Sequence, residues 1–162
     1  MTSTISAPLE ARSLTKWFPA GGGVLSARSY IHAVDDVTFA LRPGTITALV
    51  GESGSGKSTV ARLLARLYDP TSGTLLFEGK DVAGDRRRRD VLRYRSQVQL
   101  IFQDPFGSLN PVKTVRHHIA RPLRIHKRGP VDHVDEQIHE LLTRVGLVPA
   151  EKYAAKYPHE LS

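Results

Sequence analysis

The chain has 162 residues, of which 40% are hydrophobic and 24% charged, a balance typical of a globular domain with a hydrophobic core. It has no cysteine, which excludes disulfides and thiol-ligated metals, and its formal net charge is +7. The sequence lacks a signal-peptide core and any apolar run long enough to cross a bilayer, so we expect membrane contact only through a partner or at the surface.

Two strands are expected near the N-terminus, after a loose tail over residues 1–8. The patterning predicts the first strand over residues 9–18 and the second over residues 33–41, with a glycine-rich loop over residues 21–29 between them. The sequence Arg-Pro-Gly at residues 42–44 then predicts a turn.

A glycine-rich segment next matches the P-loop pattern G-x-x-x-x-G-K-[ST] in full. The β-rich apolar run at residues 45–50 predicts a strand before it, and the spacing of Val60, Leu63, Leu64 and Leu67 predicts a helix after it. Strand, loop and helix follow in the order that this motif requires, so we predict binding of a nucleoside triphosphate. The candidate binding residues are Gly51, Glu52, Ser53, Gly54, Ser55, Gly56, Lys57, Ser58 and Thr59.

Each residue type in this loop suits a phosphate group. The glycines let successive backbone N–H groups point inward at phosphate oxygens, where a Cβ atom would collide. The N-terminus of the following helix adds partial positive charge to the same anion site. Lys57 is expected to reach the β- and γ-phosphates, and the Ser58 hydroxyl to take one coordination position on the bridging Mg²⁺.

The chain then returns to strands and turns. A turn is expected over residues 69–73, a strand over residues 74–77 and another turn over residues 78–80. A basic helix is expected over residues 86–95, followed by a strand over residues 98–102.

The basic run at residues 86–89 could contact nucleic acid, since the whole chain is positively charged. However, Val91, Leu92 and Tyr94 follow it at helical spacing, and no aromatic residues are interleaved with the arginines as a base-stacking platform would require. We interpret the run as the solvated face of an amphipathic helix and expect no nucleic-acid partner.

The remainder of the chain is expected to be helical. A loop over residues 103–111 contains Pro105, Gly107 and Pro111. A helix with Gly146 after its C-terminus is predicted next, and a short one over residues 149–156 before Pro158. The residues predicted to line one face of the longer helix are Val134, Ile138, Leu141, Leu142 and Val145. We therefore expect a nucleotide-binding αβ lobe over residues 9–102 and a helical part over residues 103–162.

These motifs together resemble the nucleotide-binding subunit of ABC transporters, specifically the N-terminal part in the oligopeptide and dipeptide importer branch. The resemblance covers nearly the whole chain, and the loop Gln-Asp-Pro-Phe-Gly-Ser-Leu-Asn-Pro is specific to that branch. It implies an α/β P-loop NTPase fold of ABC type: a mixed β lobe and RecA-like core with a helical subdomain. The stretches that carry it are residues 33–39, 51–59, 68–73, 77–81 and 102–111.

The resemblance also implies roles for residues outside the P-loop. Gln103 matches the family's Q-loop glutamine, which contacts Mg²⁺ and the region of the attacking water. It is therefore a candidate catalytic residue and, with Ser58, a candidate metal ligand. Phe18 matches the aromatic residue that stacks on adenine, with Trp17 and Tyr30 as alternatives. The implied cofactors are ATP and Mg²⁺.

The implied partners are integral membrane permease subunits and a second ATP-binding subunit, in a homodimer or a heterodimer. A substrate-binding protein would act indirectly. The implied location is the cytoplasmic face of the plasma membrane.

The chain ends at Leu161 and Ser162, the first two letters of the ABC signature. The family places its Walker B strand, catalytic glutamate, D-loop and switch histidine after this point. His117, His118 and His159 do not match the switch histidine and are interpreted as surface residues. We therefore expect this polypeptide alone to bind ATP without hydrolysing it.

Two other functions are compatible with a P-loop. One is an ABC-superfamily ATPase that acts on nucleic acid or the ribosome, which would account for the positive charge. The other is a different P-loop enzyme, such as a small kinase or GTPase, although no guanine-specificity motif or acceptor-binding lid is recognisable.

Overall fold

The computed structural model describes residues 7–21, 29–84, 87–126 and 133–161. The predicted tail as far as residue 6, most of the predicted loop at 22–28, Arg86 and Ser162 lie outside the described residues. The chain divides into two compact units, Met1–Leu100 and Ile101–Ser162, which are described in turn.

The described part of the first unit contains a four-stranded antiparallel sheet in the order β2-β1-β3-β4. It confirms the strands predicted at residues 9–18, 33–41 and 74–77, each of them slightly longer than expected. The central strand pairs on both sides, because Leu9 lies opposite Leu41 on one neighbour and opposite Phe77 on the other. The strands are β1 (Leu9–Ala20), β2 (Ser29–Leu41), β3 (Ser72–Phe77) and β4 (Lys80–Asp81).

Helix α1 (Lys57–Leu64) packs on this sheet and confirms the predicted helix after the P-loop motif. It buries Val60 and Leu63 in a cluster with side chains of β1 and β2. The predicted apolar face is one residue too long, since the helix is capped at Ala65 and Leu67 lies beyond it, 45% exposed.

Helix α2 (Arg88–Arg95) closes a second cluster, formed with Leu9, Leu75 and Val82. Its Tyr94 is buried, and the hydroxyl donates a hydrogen bond to the Leu64 carbonyl. Burial raises the pKa of Tyr94 to about 12, so the phenol stays neutral at ordinary pH. The three arginines at residues 87–89 are exposed, which confirms the expected solvated basic face.

Two predicted strands are wrong, namely those over residues 45–50 and 98–102. The apolar side chains of the first run are exposed, with Ile46 101% and Val50 88% exposed. In the second run Ile101 is 90% exposed, whereas Val98 packs partly against the cluster around Tyr94. A β-rich apolar run becomes a strand only where a neighbouring strand satisfies its backbone and covers its side chains. No strand among the described residues pairs with either run.

The second unit is helical in its described part, as expected. Gly146 has φ +80° after the C-terminus of the longest predicted helix, which confirms the expected stop. The helices are α3 (Pro105–Ser108), α4 (Val115–Ile125), α5 (Val134–Arg144) and α6 (Ala150–Ala155), followed by a 3₁₀ turn at Pro158–Glu160.

The core of this unit lies where α4, α5 and α6 meet. Val134, Ile138 and Leu142, at i, i+4 and i+8, are buried. The predicted face of α5 was too wide, because Leu141 is 40% and Val145 69% exposed. The residues buried together are Val115, Ala120, Val134, Ile138, Leu142, Ala150 and Ala154.

Polar contacts fix how α4 begins and how it meets its neighbours. The Thr114 side chain caps the helix by accepting a hydrogen bond from the His117 N–H. Arg116 donates to both carboxylate oxygens of Asp135 on α5, at 2.6 and 2.9 Å. Since both side chains are exposed, this pair contributes less to stability than the apolar core does.

None of the described helices is both long and apolar enough to cross a lipid bilayer.

Leu142 and Leu141 form a matched pair for testing this core, because they are adjacent leucines of one helix. Leu142 is 2% and Leu141 40% exposed. We predict that Leu142→Ala lowers the free energy of unfolding by about 2–5 kcal/mol, because it leaves a cavity. Leu141→Ala should cost less than about 1.5 kcal/mol, since the removed atoms were largely in water. Urea unfolding measures both values, and equal losses would contradict this core.

Candidate functional site

The glycine-rich segment at residues 51–59 consists of a curled loop, residues 51–56, and the first three residues of α1. The loop passes directly over strand β2 at Gly56. Gly54 and Gly56 have φ of +84° and +85°, a left-handed backbone conformation that residues with a Cβ rarely adopt. A Cβ on Gly56 would also lie 2.2 Å from the carbonyl oxygen of Ala33. Glycine is therefore required at residue 56 both for its backbone angle and for the close approach to β2.

Helix α1 starts directly from this loop. Gly56 is its N-cap residue and no side chain caps it, and the first intrahelical bond runs from the Val60 N–H to the Gly56 carbonyl, at 2.9 Å. The N–H groups of Lys57, Ser58 and Thr59 precede that bond and have no partner within the helix. Together with the partial positive charge of the helix N-terminus, they give this end of the loop a chemistry that suits an anion.

The Lys57 ammonium folds back over the loop. Its Nζ donates hydrogen bonds to the carbonyl oxygens of Gly51, at 2.8 Å, and Glu52, and lies 3.2 Å from Ser55 Oγ. The cation is thus held against the first residues of the loop by two carbonyl groups. Ser58 is exposed in that turn, so its hydroxyl is accessible to a ligand.

Two aromatic clusters lie at the C-terminal end of β1. The rings of Phe18 and Tyr68 pack edge to face, with centroids 5.4 Å apart. Lys16 Nζ lies 5.2 Å from the centroid of the Phe18 ring. The Trp17 ring instead stacks on His32, with centroids 4.2 Å apart and planes 11° from parallel. One face of Trp17 is therefore already covered.

Tyr30, the third aromatic candidate, is 48% exposed and lies 6.4 Å from Trp17. Trp17 Nε1 is buried without a hydrogen-bond partner among the described residues. Tyr30 thus has the most exposed ring of the three candidates, whereas Phe18 is partly covered by Tyr68.

Gln103 belongs to the second unit, whereas the loop at residues 51–59 belongs to the first. The Gln103 side chain is exposed and lies two residues before the start of helix α3 at Pro105. The adjacent Asp104 accepts a hydrogen bond from the Gly107 N–H at 3.0 Å, which organises the turn that follows. Gln103 is therefore placed on an ordered turn at an accessible position.

The donor atoms suit Mg²⁺ better than a transition metal. Ser58 in the first unit offers a hydroxyl oxygen and Gln103 in the second offers an amide oxygen; both are hard donors of the kind that Mg²⁺ takes. Among the residues that the structure describes, no group of three or more His, Asp or Glu side chains could hold a metal by itself.

Three residues that position the site were missed in the sequence. The Ala33 backbone supports Gly56, His32 covers Trp17, and Tyr68 meets Phe18. All three are distant in sequence from the residue they contact, and although Ala33 and Tyr68 begin stretches that carry the family resemblance, no local pattern assigns these contacts. The pairing of β1 with β2 brings His32 to Trp17. The turn after α1 brings Tyr68 to Phe18.

Comparison with known proteins gives consistent results. The family model for ABC transporters matches residues 34–162. The oligopeptide transport ATP-binding protein AppF of Bacillus subtilis (strain 168) is 43% identical over 155 residues, which cover 95% of this chain and 46% of that protein. The glutathione import ATP-binding protein GsiA of Escherichia coli (strain K12) is 42% identical over 156 residues, covering 95% of this chain and 24% of that protein. The chain thus spans less than half the length of these relatives.

The fold is similar to that of solved ABC cassettes. The dimeric post-hydrolysis structure of the cassette MJ0796 bound to ADP and Pi superposes with a TM-score of 0.75 at 24% identity, covering 95% of this chain and 63% of that one. At this identity the likeness supports the fold alone. The match of the family model over most of the sequence shows more: this chain belongs to the ABC transporter family.

Proposed function

We propose that this chain is the ATP-binding subunit, or part of it, of an ABC importer for peptides or similar small solutes. The observation that carries the proposal is the curled loop at residues 51–59, which leads without a side-chain cap into α1. Relatives named for oligopeptide and glutathione transport support the class of solute. Coupling of ATP binding and hydrolysis to transport belongs to the same proposal.

The loop would bind the triphosphate through its backbone. The N–H groups of the loop and of the first turn of α1 would donate to phosphate oxygens. Lys57 would exchange its bonds to the Gly51 and Glu52 carbonyls for the β- and γ-phosphates, which requires only a movement of its side chain. Ser58 would supply a hydroxyl ligand to Mg²⁺, and the ion would supply positive charge against that of the phosphates.

Residues outside the loop would complete the site. We assign Phe18 to adenine, with Trp17 and Tyr30 as alternatives, because an aromatic face suits a purine. We assign Gln103 to the region of the metal and the attacking water, since its amide can both accept and donate hydrogen bonds. The exposure of Gln103 is compatible with that role.

The proposal extends to partners and location. We propose that the chain works with integral membrane permease subunits and a second ATP-binding subunit, identical or homologous, at the cytoplasmic face of the membrane. A substrate-binding protein would deliver the solute without contacting this chain.

Lys57→Ala tests the phosphate site directly. We predict that it raises the dissociation constant for Mg-ATP at least about tenfold, because a hydrogen bond to a charged group contributes about 1.5–3 kcal/mol. Lys80→Ala is the matched control, since Lys80 is an exposed lysine of the same unit on β4. Calorimetric titration measures both affinities. Equal affinity of the two variants would contradict the assignment.

The same preparation tests the expectation that the 162-residue polypeptide binds ATP without hydrolysing it. Phosphate release should stay at the level of the Lys57→Ala variant. Release that is clearly faster, and is lost with Lys57→Ala, would overturn that expectation.

Gly56→Ala tests the support that β2 gives to the loop. We predict loss of Mg-ATP binding by at least about tenfold, since the new Cβ collides with the Ala33 carbonyl and must displace a loop whose charged contacts each contribute about 1.5–3 kcal/mol. Gly79→Ala is the control, because Gly79 has a similar φ of +77° but open space around it. It should cost about 1–2 kcal/mol of stability and leave binding unchanged. Equal effects on binding would show that contact with β2 is unimportant.

Phe18→Ala and Tyr30→Ala distinguish the candidates for adenine. We predict that Phe18→Ala weakens ATP binding by roughly three- to tenfold, as expected from the loss of about 0.5–1.5 kcal/mol of aromatic stacking. Binding of inorganic triphosphate should be unchanged, since that ligand has no base. Emission from Trp17, the single tryptophan, can follow both titrations. If only Tyr30→Ala separates the two ligands, the assignment to Phe18 is wrong.

A further inference from the structure

A cleft in the first unit begins where helix α1 ends. Its lining comes from residues between 66 and 73, which follow α1, from residues between 81 and 84 at the end of β4, and from helix α2. The volume of the cleft is about 750 Å³, within the range of about 300–1,000 Å³ that is usual for ligand pockets. None of the residues 51–59 lines it, so it is separate from the candidate phosphate site at the other end of α1.

Arg95 of α2 brings an incompletely bonded guanidinium group to this cleft. Its Nη2 donates a hydrogen bond to the Arg66 carbonyl oxygen at 2.6 Å, whereas its Nε is buried without an acceptor in the part of the chain that the structure describes. No ion pair joins Arg95 to any described carboxylate either. Because a buried donor of a charged group is costly without an acceptor, this guanidinium favours a ligand that brings one.

A second guanidinium group, that of Arg66, adds positive charge to the wall of the cleft. Arg66 is 7% exposed, and its Nη2 donates to the Ala83 carbonyl oxygen at 3.5 Å, a contact within the lining. Its backbone has φ +53°, in the left-handed region where a residue with a Cβ is strained. The chain therefore holds a buried cation at this wall in an unfavourable backbone conformation, a feature that is more frequent at functional sites than elsewhere.

Two exposed carboxylates, those of Asp69 and Asp81, also line the cleft. Asp81 accepts a hydrogen bond from the Ala83 N–H at 2.8 Å, which orders the chain after β4. Asp69 is engaged only through its backbone carbonyl oxygen, which accepts a hydrogen bond from Lys16 Nζ at 2.7 Å, so its carboxylate has no partner among the described residues. The cleft thus offers an acceptor for a cation as well as donors for an anion.

This combination of charges favours a zwitterion over a simple anion. A phosphate group would be attracted by the two arginines and repelled by the two carboxylates that share the lining. A ligand with an ammonium group at one end and a carboxylate at the other would contact Asp69 and Arg95 with opposite charges. Amino acids and short peptides with free ends have this chemistry.

The uncharged part of the lining suits a peptide better than a nucleotide. Pro70, Ala83 and Val91 are half-buried and provide an aliphatic surface. The hydroxyl groups of Thr71 and Ser72 can form hydrogen bonds with a peptide group. The described lining has no Phe, Tyr or Trp on which a base could stack. A short peptide with aliphatic side chains would therefore use the charged, the polar and the apolar parts of the cleft together.

We propose that this cleft binds a short zwitterionic peptide with aliphatic side chains. The Arg95 guanidinium donates to the terminal carboxylate of the peptide, with Arg66 adding positive charge, and Asp69 accepts from its ammonium group. Binding at this site does not require nucleotide. The inference goes beyond the proposed function, because the cleft and the segment at residues 51–59 have no residue in common.

The test uses the full 162-residue chain and the dipeptide alanyl-leucine, with binding followed by amide NMR titration. The unaltered chain should bind the dipeptide saturably, with a dissociation constant of about 1 mM or lower. N-acetyl-alanyl-leucine lacks the ammonium group, and alanyl-leucinamide lacks the carboxylate. Each should bind at least about tenfold more weakly than alanyl-leucine, because each loses a hydrogen bond between charged groups.

The variants assign the two ends of the peptide. Asp69→Asn should weaken binding of alanyl-leucine about tenfold and leave binding of the N-acetyl peptide unchanged, because that ligand has no ammonium group for Asp69 to contact. Arg95→Gln should weaken alanyl-leucine about tenfold and leave alanyl-leucinamide unchanged. Since Asp69 is exposed, its variant keeps the test decisive even if Arg95→Gln disturbs folding.

The matched controls are Asp35→Asn on β2 and Arg93→Gln on α2, which make the same changes at exposed residues outside the cleft. Both should bind alanyl-leucine as the unaltered chain does. Lys57→Ala should also bind it unchanged, which separates this proposal from nucleotide binding.

Three results would overturn the proposal. One is the absence of saturable binding up to about 10 mM dipeptide. Another is equal affinity for the dipeptide and its two blocked forms, or equal losses in Asp69→Asn and Asp35→Asn. The third is binding of inorganic phosphate that is tighter than that of alanyl-leucine and is lost with Arg95→Gln, which would make the cleft an anion site.

Discussion

The first unit depends on one close contact, that between Gly56 and the backbone of β2. Because residue 56 has no Cβ, the loop can lie directly against the Ala33 carbonyl, and α1 begins at that point. The same contact directs Val60 and Leu63 into the core and holds Lys57 and Ser58 at the open side of the loop. Stability and the candidate phosphate site therefore share one short segment, and a change at residue 56 affects both.

The backbone conformation could be predicted from the sequence at positions where only one residue type readily adopts it. The left-handed glycines at 54, 56 and 146 belong to this group. The strands at 9–18 and 33–41 were also predicted, and they form because they pair with each other. The runs at 45–50 and 98–102 could not be predicted this way, because strand formation depends on partners that no local pattern specifies. Support of the loop by Ala33 was invisible for the same reason, since it arises from strand pairing.

The two units are built on separate cores. The core around Leu63 lies under the loop at residues 51–59, whereas the core around Ile138 holds α4 against α5 and α6. The arginines at residues 87–89 are solvated, as their pattern predicts. The buried face of α4, by contrast, became evident only in the structure, because it depends on packing against α5 and α6.

The most direct test of the central claim is amide hydrogen exchange of the chain with and without Mg-ATP. We predict slower exchange at residues 54–59, where backbone N–H groups would donate to phosphate oxygens, and a smaller effect in the remainder of the first unit. Exchange that is unchanged across this segment while nucleotide is bound, or protection confined to the helical unit, would contradict the assignment of the loop as the nucleotide site.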